Sequence, residues 1–417
     1  MIKQLKYLFL LLAFLCIYSS CSTVHYAYPY IQLLSEQELK ARNYENKGQY
    51  EEAIEIYRQQ IENYPNQFKI VLYQHKIMSD TEPLSDPSLL ADEIERTMTL
   101  FTRAIDEQFD GASPEAVKRE HDALEEYVRE QSQNYYLLWQ KTSLQNNADI
   151  ALRINQLYTQ YFSDSDYYCS ALNNQAVIEY RYANIIAFWN KREENLKYDL
   201  EKLQSAMNDY RQVVETCEGK LAINPNDYLD AAKGVTILLK RYIEHARDAE
   251  NADPEFCPEV VYISESTLDE FEWDGQEKSI ANCRLDFINA SRKYMDLAQK
   301  YHDEKNIQSA SFMIAQSAEI YFNHYHFNEA ISLFNEVIQK TPQYDDTVVY
   351  AAKYILESYR IQKKYKEMLD AIHEFKSNTK FMSIPSGYLS SMSRFIKLMD
   401  EYEEALNEKL NVNESDK

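Results

Sequence analysis

Between positions 37 and 66 the chain reads QELKARNYENKGQYEEAIEIYRQQIENYPN. Apolar or small residues recur three and four apart: Leu39, Ala41 and Tyr44, then Tyr50, Ala53, Ile54, Tyr57 and Ile61. That spacing puts each set on one face of a helix. Gly48 separates the runs, where a helix C-terminus favours a left-handed residue. Pro65 ends the second run, because proline cannot continue a helix interior. The pattern predicts a helical hairpin.

Residues 311–342 repeat the plan, with Ile314, Ala318 and Tyr321 on a first helix. Phe327, Ala330, Phe334 and Val337 mark a second, which Pro342 ends. Aligning Pro65 with Pro342 sets Tyr44 on Tyr321, Tyr50 on Phe327, Ala53 on Ala330 and Tyr57 on Phe334. A third, degenerate copy carries Tyr359 and Tyr365, with Met368 where alanine stood. Gln60 and Tyr325 also depart from the pattern, the latter at the place of Gly48. The middle, 88–249, reads as degenerate helical pairs, with apolar spacing over 136–161, 167–191 and 196–222. Ser113-Pro114-Glu115 is a helix start: a capping serine, a proline at the first position and an acid in the first turn. A final amphipathic helix, about 386–410, is expected to cap the stack, with 411–417 a disordered tail.

The order small, aromatic, aromatic, alanine, aromatic, proline resembles the tetratricopeptide repeat (TPR). The resemblance implies an all-α, TPR-like α-solenoid of helical hairpins. Alanines let the helices approach, and aromatics fill the space between hairpins. Composition agrees: the 417 residues hold 6 glycines and 35 tyrosines. Glycine-rich phosphate loops and β-sandwich turns are thereby disfavoured. About fifteen helices are expected, in N-terminal repeats over 36–249 and C-terminal repeats with a cap over 279–410.

Positions 1–20 read as a signal peptide: Lys3 and Lys6, an apolar run from Tyr7 to Tyr18, then Ser19 and Ser20. The apolar run is too short to span a bilayer. Ser19-Ser20-Cys21 resembles the lipobox of bacterial lipoproteins, although Tyr18 stands where an aliphatic residue is usual. The resemblance implies an acylated Cys21, a lipidated linker over 21–35, and an outer-membrane location facing the periplasm. The net charge of −23 argues against nucleic acid, whose phosphates need a basic face. It leaves the N-terminal lipid as the only membrane contact.

Four cysteines follow Cys21: Cys169, Cys217, Cys257 and Cys283. Two readings are open: two disulfides in an oxidising compartment, paired locally as Cys169–Cys217 and Cys257–Cys283, or four buried thiols.

Residues 248–277 contain 11 acidic residues and no Lys or Arg. Pro254 and Pro258 prevent a continuous helix, and Val260-Val261-Tyr262-Ile263 is strand-like. The segment, 250–278 in domain terms, is expected to be an acidic insertion loop projecting from the solenoid. It is a solvated loop or a docking loop for a basic partner; its acids lack calcium-loop spacing.

No nucleotide, hydrolase or metalloprotease motif occurs. His324 and His326 form HxH, with Glu319 and Glu329 as the nearest carboxylates in sequence, and read as a turn without a ligand role. No catalytic residue, metal or cofactor is inferred. The tyrosines are mostly core, with a share left for a groove; Tyr135-Tyr136 and Tyr167-Tyr168 are each expected to turn one ring away. The basic run Lys363-Lys364-Tyr365-Lys366, with Arg360, is the local counterweight to the acidity.

The favoured function is a non-enzymatic protein–protein interaction scaffold, binding proteins or peptides in a concave groove and no small-molecule substrate. It predicts a long open groove and no buried acid pair. An α-helical enzyme would place a carboxylate at the base of a deep pocket. A glycan- or peptide-capture lipoprotein would expose aromatic platforms, with Trp139, Trp189 and Trp273 the ones to inspect. The anchor and repeat type are similar to the TPR lipoprotein of the outer-membrane β-barrel assembly machinery, a shorter chain. The run Asp286–Phe375 also resembles TPR proteins of gliding motility and envelope assembly in deltaproteobacteria. Both imply an envelope complex.

Overall fold

The computed structural model describes residues 35–84, 87–189, 200–218, 225–246, 257, 263, 271–341, 345–383 and 389–415. The signal peptide, Cys21, the linker up to position 34, Pro342 and most of 248–270 lie outside the described residues. The chain forms two compact units, Met1–Val117 and Lys118–Lys417.

The first unit holds α1 (Glu36–Glu45), α2 (Tyr50–Asn63), α3 (Lys69–Thr81) and α4 (Pro87–Asp106). α1 starts at a capping box: Ser35 Oγ accepts from the Glu38 amide at 3.2 Å, and Glu38 Oε2 accepts from the Ser35 amide at 2.6 Å. Each helix packs on the next. Ala41, Ala53 and Tyr57 are buried, whereas Leu39 is exposed. Gln67 and Asp110 form an isolated β-bridge, which ties the α2–α3 turn to the residues after α4.

α5 (Pro114–Thr142) begins in the first unit and runs mainly in the second. It starts at the predicted cap, where Ser113 Oγ accepts from the Ala116 amide. The second unit continues with α6 (Gln145–Tyr161), α7 (Tyr168–Trp189), α8 (Leu200–Thr216) and α9 (Pro225–Ala246). After the acidic segment come α10 (Asn282–Lys300), α11 (Glu304–Asn323), α12 (Phe327–Lys340), α13 (Asp346–Ile361), α14 (Tyr365–Ser377), the short α15 (Thr379–Met382) and α16 (Leu389–Ser415). Among the described residues no strand forms beyond the isolated bridge. From α6 to α14 each helix packs on the next, and α7, α9, α11 and α13 also touch in series. The pairs α7/α8, α9/α10, α11/α12 and α13/α14 are therefore successive hairpins of an all-α repeat fold.

One apolar core runs from Tyr168 to Leu406. It holds residues on both sides of the acidic segment, together with Ile263 from within it. Aromatic rings join the hairpins: Phe322 meets Phe327 at 5.4 Å and Tyr354 at 4.9 Å, and Phe334 meets Tyr354 at 5.7 Å. α16 caps the stack, burying Met392, Phe395, Met399 and Leu406. Its Tyr402 donates to the buried carboxylate of Glu357 at 2.7 Å.

Three expectations are corrected. The run 136–161 is two helices, because Ser143 takes a left-handed φ of 55° and breaks it. The tail begins later than 411, because α16 continues to Ser415 with no glycine or proline after Gly387 to stop it. Tyr167 and Tyr168 both pack inward: Tyr167 precedes α7 and stacks edge-on against Tyr158, so helical spacing does not separate the rings.

Candidate functional site

The turns between paired helices share one backbone. Gly48, Tyr325 and Lys363 have φ of 70°, 68° and 56°. The residues after them, Gln49, His326 and Lys364, lie at ψ of 66°, 65° and 68°. Their amides donate back to the carbonyls of Tyr44, Tyr321 and Tyr359, at 2.9 to 3.0 Å. This is the Schellman pattern. Tyr50, Phe327 and Tyr365 each begin the following helix. Ala318, Phe327, Ala330 and Phe334 are buried, with Tyr44, Tyr50, Tyr321, Tyr359 and Tyr365 half-buried and Pro65 exposed. Met368, in the alanine position, is buried too.

Stacked hairpins leave clefts. In the second unit a cavity of about 540 Å³ opens between α8, α9 and α10. Val214, Ala232, Val235, Leu239 and Ala290 supply its apolar lining. Its rim is charged: Arg211 pairs with Asp286 at 3.5 Å, and Lys293 and Lys300 pair with Glu218 at 3.1 and 3.0 Å. The hydrogen bonds from Lys300 and Lys293 hold the Glu218 carboxyl down at about 2. In the first unit a cleft of about 660 Å³ lies between α2, α3 and α4, lined by Ile61, Leu100, Arg96 and Arg103 among others. Glu93 is fixed beside it by Arg96 at 2.6 Å and Gln74 at 2.7 Å. A third cleft, of about 630 Å³, is polar, with Asp122, Glu125, Asp164 and Asp166 along α5 and the α6–α7 turn.

The described part of the acidic segment packs down instead of projecting. Ile263 is buried, and its amide donates to Asn323 Oδ1 at 2.9 Å. Phe271 packs at a tilt against Tyr325 at 5.2 Å, and Trp273 meets Phe327 edge-on at 5.2 Å. The Lys278 amide donates to the His324 carbonyl at 2.9 Å, and Lys278 Nζ donates to the Tyr325 hydroxyl at 2.8 Å. The segment is thus a strap over the α11–α12 turn, because its aromatic side chains bury more surface there than in water. Disulfides join Cys169 to Cys217 and Cys257 to Cys283, each with a Cα separation of 5.9 Å. The second fixes the strap to α10, and the first ties α7 to the end of α8.

Trp139 is buried under Arg181, 5.0 Å from its ring, and Trp273 is half-buried, so neither is an open platform. The Trp189 side chain lies outside the described residues. The expectation of no buried acid pair is corrected, because helix packing brings together two carboxylate pairs with buried members, Asp80 and Glu179, that the sequence did not mark. Asp80, beside Glu45, is pushed up to about 7 by burial and then by the Glu45 charge. Asp209 is pushed up to about 7 by burial and by Glu179, whose own carboxyl is raised by burial. None of these four lines the clefts described above. The basic run is partly spoken for: Arg360 pairs with Glu357 at 2.7 Å, and Lys364 donates to Asn328 at 3.1 Å.

The cleft linings also escaped the sequence reading. The doublets Ala231-Ala232 and Leu238-Leu239 were the available signal, since adjacent apolar residues give α9 an apolar stripe too wide for one neighbour.

No protein-family model matches the chain, and no curated protein matches it. Among solved structures, the TPR2AB-domain:pHSP90 complex of yeast Sti1 is similar at 14% identity and a TM-score of 0.25, covering 89% of this chain and 97% of that one. A circular tandem repeat protein is similar at 13% identity and a TM-score of 0.25, covering 90% and 77%. The P58(IPK) TPR domain is similar at 12% identity and a TM-score of 0.21, covering 90% and 98%. Scores of this size do not superpose whole folds, so the all-α repeat architecture rests on the helix pairs and shared turns of this chain itself.

Proposed function

We propose that the chain is a non-enzymatic scaffold that recruits proteins or peptides to a membrane-bound assembly through the clefts between its helices. The observation that carries this reading is the α8–α9–α10 cleft, apolar within and rimmed by charges of both signs. Such a cleft suits an amphipathic segment: the apolar lining supplies affinity and the rim fixes register. A photo-crosslinker at Asn289, within that lining, tests it. The reading expects one dominant protein adduct, lost when Arg211→Glu and Lys293→Glu are combined. Recovery of an uncrosslinked monomer from membranes, with no stoichiometric companion, argues against it.

The finer reading is a lipoprotein anchored through Cys21, at the periplasmic face of the outer membrane, within an envelope assembly. The lipobox-like run Ser19-Ser20-Cys21 supports it. If a Cys21→Ser variant fractionates with membranes as the parent does, the anchor is wrong. An enzymatic reading has one feature in its favour, Asp209 beside Glu179, its carboxyl pushed up to about 7 by burial and then by the Glu179 charge. On the scaffold reading, Glu179→Gln leaves partner capture unchanged.

A further inference from the structure

Glu277, His326 and Glu329 meet where the strap crosses the α11–α12 turn. One donor atom from each lies within 4.8 Å of the other two. Glu329 sits on the first turn of α12, three residues past His326, and Glu277 arrives from the strap.

The His326 ring is held from behind. Its Nε2 lies 2.8 Å from the Lys278 carbonyl oxygen, which can only accept, so Nε2 carries the hydrogen. Nδ1 then faces Glu277 Oε2 at 3.2 Å. In the neutral ring Nδ1 is a lone pair, and two acceptors at that distance repel unless a positive centre lies between them. A proton on Nδ1 satisfies Glu277 alone. A metal ion satisfies Glu277, Nδ1 and the Glu329 carboxylate together. A backbone carbonyl bonded to the far ring nitrogen is also the usual support of a metal-binding histidine.

The surroundings fix the His326 ring and the backbone beside Glu277 independently of any ion. Lys278 N–H to His324 O and His326 N–H to Tyr321 O lock both backbones, at 2.9 Å each. The Lys278 ammonium is turned onto the Tyr325 ring, 4.3 Å from its centre. The His326 ring remains 21% exposed, so an ion can reach it.

We propose that Glu277, His326 and Glu329 form a binding site for a divalent transition metal of the zinc type, which staples the strap to the turn. One imidazole with two carboxylates suits zinc and its first-row neighbours. Calcium and magnesium prefer all-oxygen shells. Three protein donors leave a position open to water or to a partner's side chain.

The test is zinc titration of metal-stripped full-length protein by calorimetry, with cobalt absorption as a spectroscopic readout and magnesium as the comparison ion. The expected result is one zinc per chain, with affinity reduced about tenfold or more by His326→Ala and by Glu277→Gln, and unchanged by His373→Ala. Glu329→Gln, at an exposed position, provides a second variant should His326→Ala unfold the turn. Absence of stoichiometric zinc binding, equal binding of magnesium, or zinc binding that survives all three substitutions would overturn the proposal.

Discussion

Tyr325 and Lys363 occupy the same place in two successive hairpin turns, each in left-handed backbone that the first hairpin gives to Gly48. A side chain in that region costs roughly 1–2 kcal/mol, through the clash of Cβ with the following carbonyl. The turn is therefore set by the packing of the helices it joins, and its residue only sets the strain.

Lys363 is exposed, so Lys363→Gly is expected to stabilise the protein by roughly 0.5–1 kcal/mol. Gly48→Ala is expected to destabilise by about 1 kcal/mol. Open space surrounds its new Cβ, so the backbone angle alone carries the effect. Denaturant midpoints of the two variants should move in opposite directions. Tyr325→Gly should lose stability, because it also removes the contacts of that ring with Phe271 and Lys278.

Gly234 reverses the usual helix rule. In a helix interior Gly→Ala normally gains about 1 kcal/mol. Here an added Cβ would meet the buried Tyr210 ring at 2.6 Å. Gly234→Ala is expected to destabilise by roughly 1–3 kcal/mol. A raised melting temperature in this variant would show that α8 and α9 are not packed this closely.

Asp80 links stability to pH. Its folded-state pKa, about 7, lies above the ordinary carboxyl value, chiefly through burial and then through Glu45. Below the unfolded pKa both states are protonated and nothing is lost. As pH rises toward 7 the unfolded chain releases its proton first, so stability falls through that window. Asp80→Asn should match the parent near pH 4 and exceed it at pH 8, by on the order of 2–4 kcal/mol. Melting curves at several pH values check this; a difference that does not grow with pH would refute the assignment. Asp209 adds a slope of the same sign in the parent and leaves the comparison intact.

The disulfides close stretches of 48 and 26 residues. Cys169→Ser and Cys283→Ser are each expected to cost about 3–4 kcal/mol, by limiting the unfolded chain less. Reductant should lower the parent's denaturant midpoint and leave the double variant's nearly unmoved. A parent insensitive to reductant would favour the free-thiol reading.

Much of the fold was legible because helical hairpins write themselves locally. Tyr44, Gly48, Tyr50, Ala53 and Tyr57 lie within fourteen residues, and each position has a local physical meaning. Ser143 hid because a serine carries no mark of a left-handed φ. The strap hid for a different reason. Glu277 and His326 are 49 residues apart in sequence, so their meeting depends on which turn the segment lands on. HxH drew attention to His326, but of the two carboxylates that reach it only Glu329 is close in sequence, and Glu277 comes from the acidic segment. The α8–α9–α10 cleft was equally silent, since Val214, Leu239 and Ala290 look like core on any one helix.

Repeat proteins commonly come apart like a zipper, since each hairpin holds only its neighbours. The strap interrupts that logic. Ile263 reaches Asn323 across 60 residues, and Cys257 is bonded back to Cys283. Helices α10 to α12 are thereby bound into one cooperative block, so fraying from the C-terminal cap should halt at α12 and amide exchange should slow abruptly on its far side.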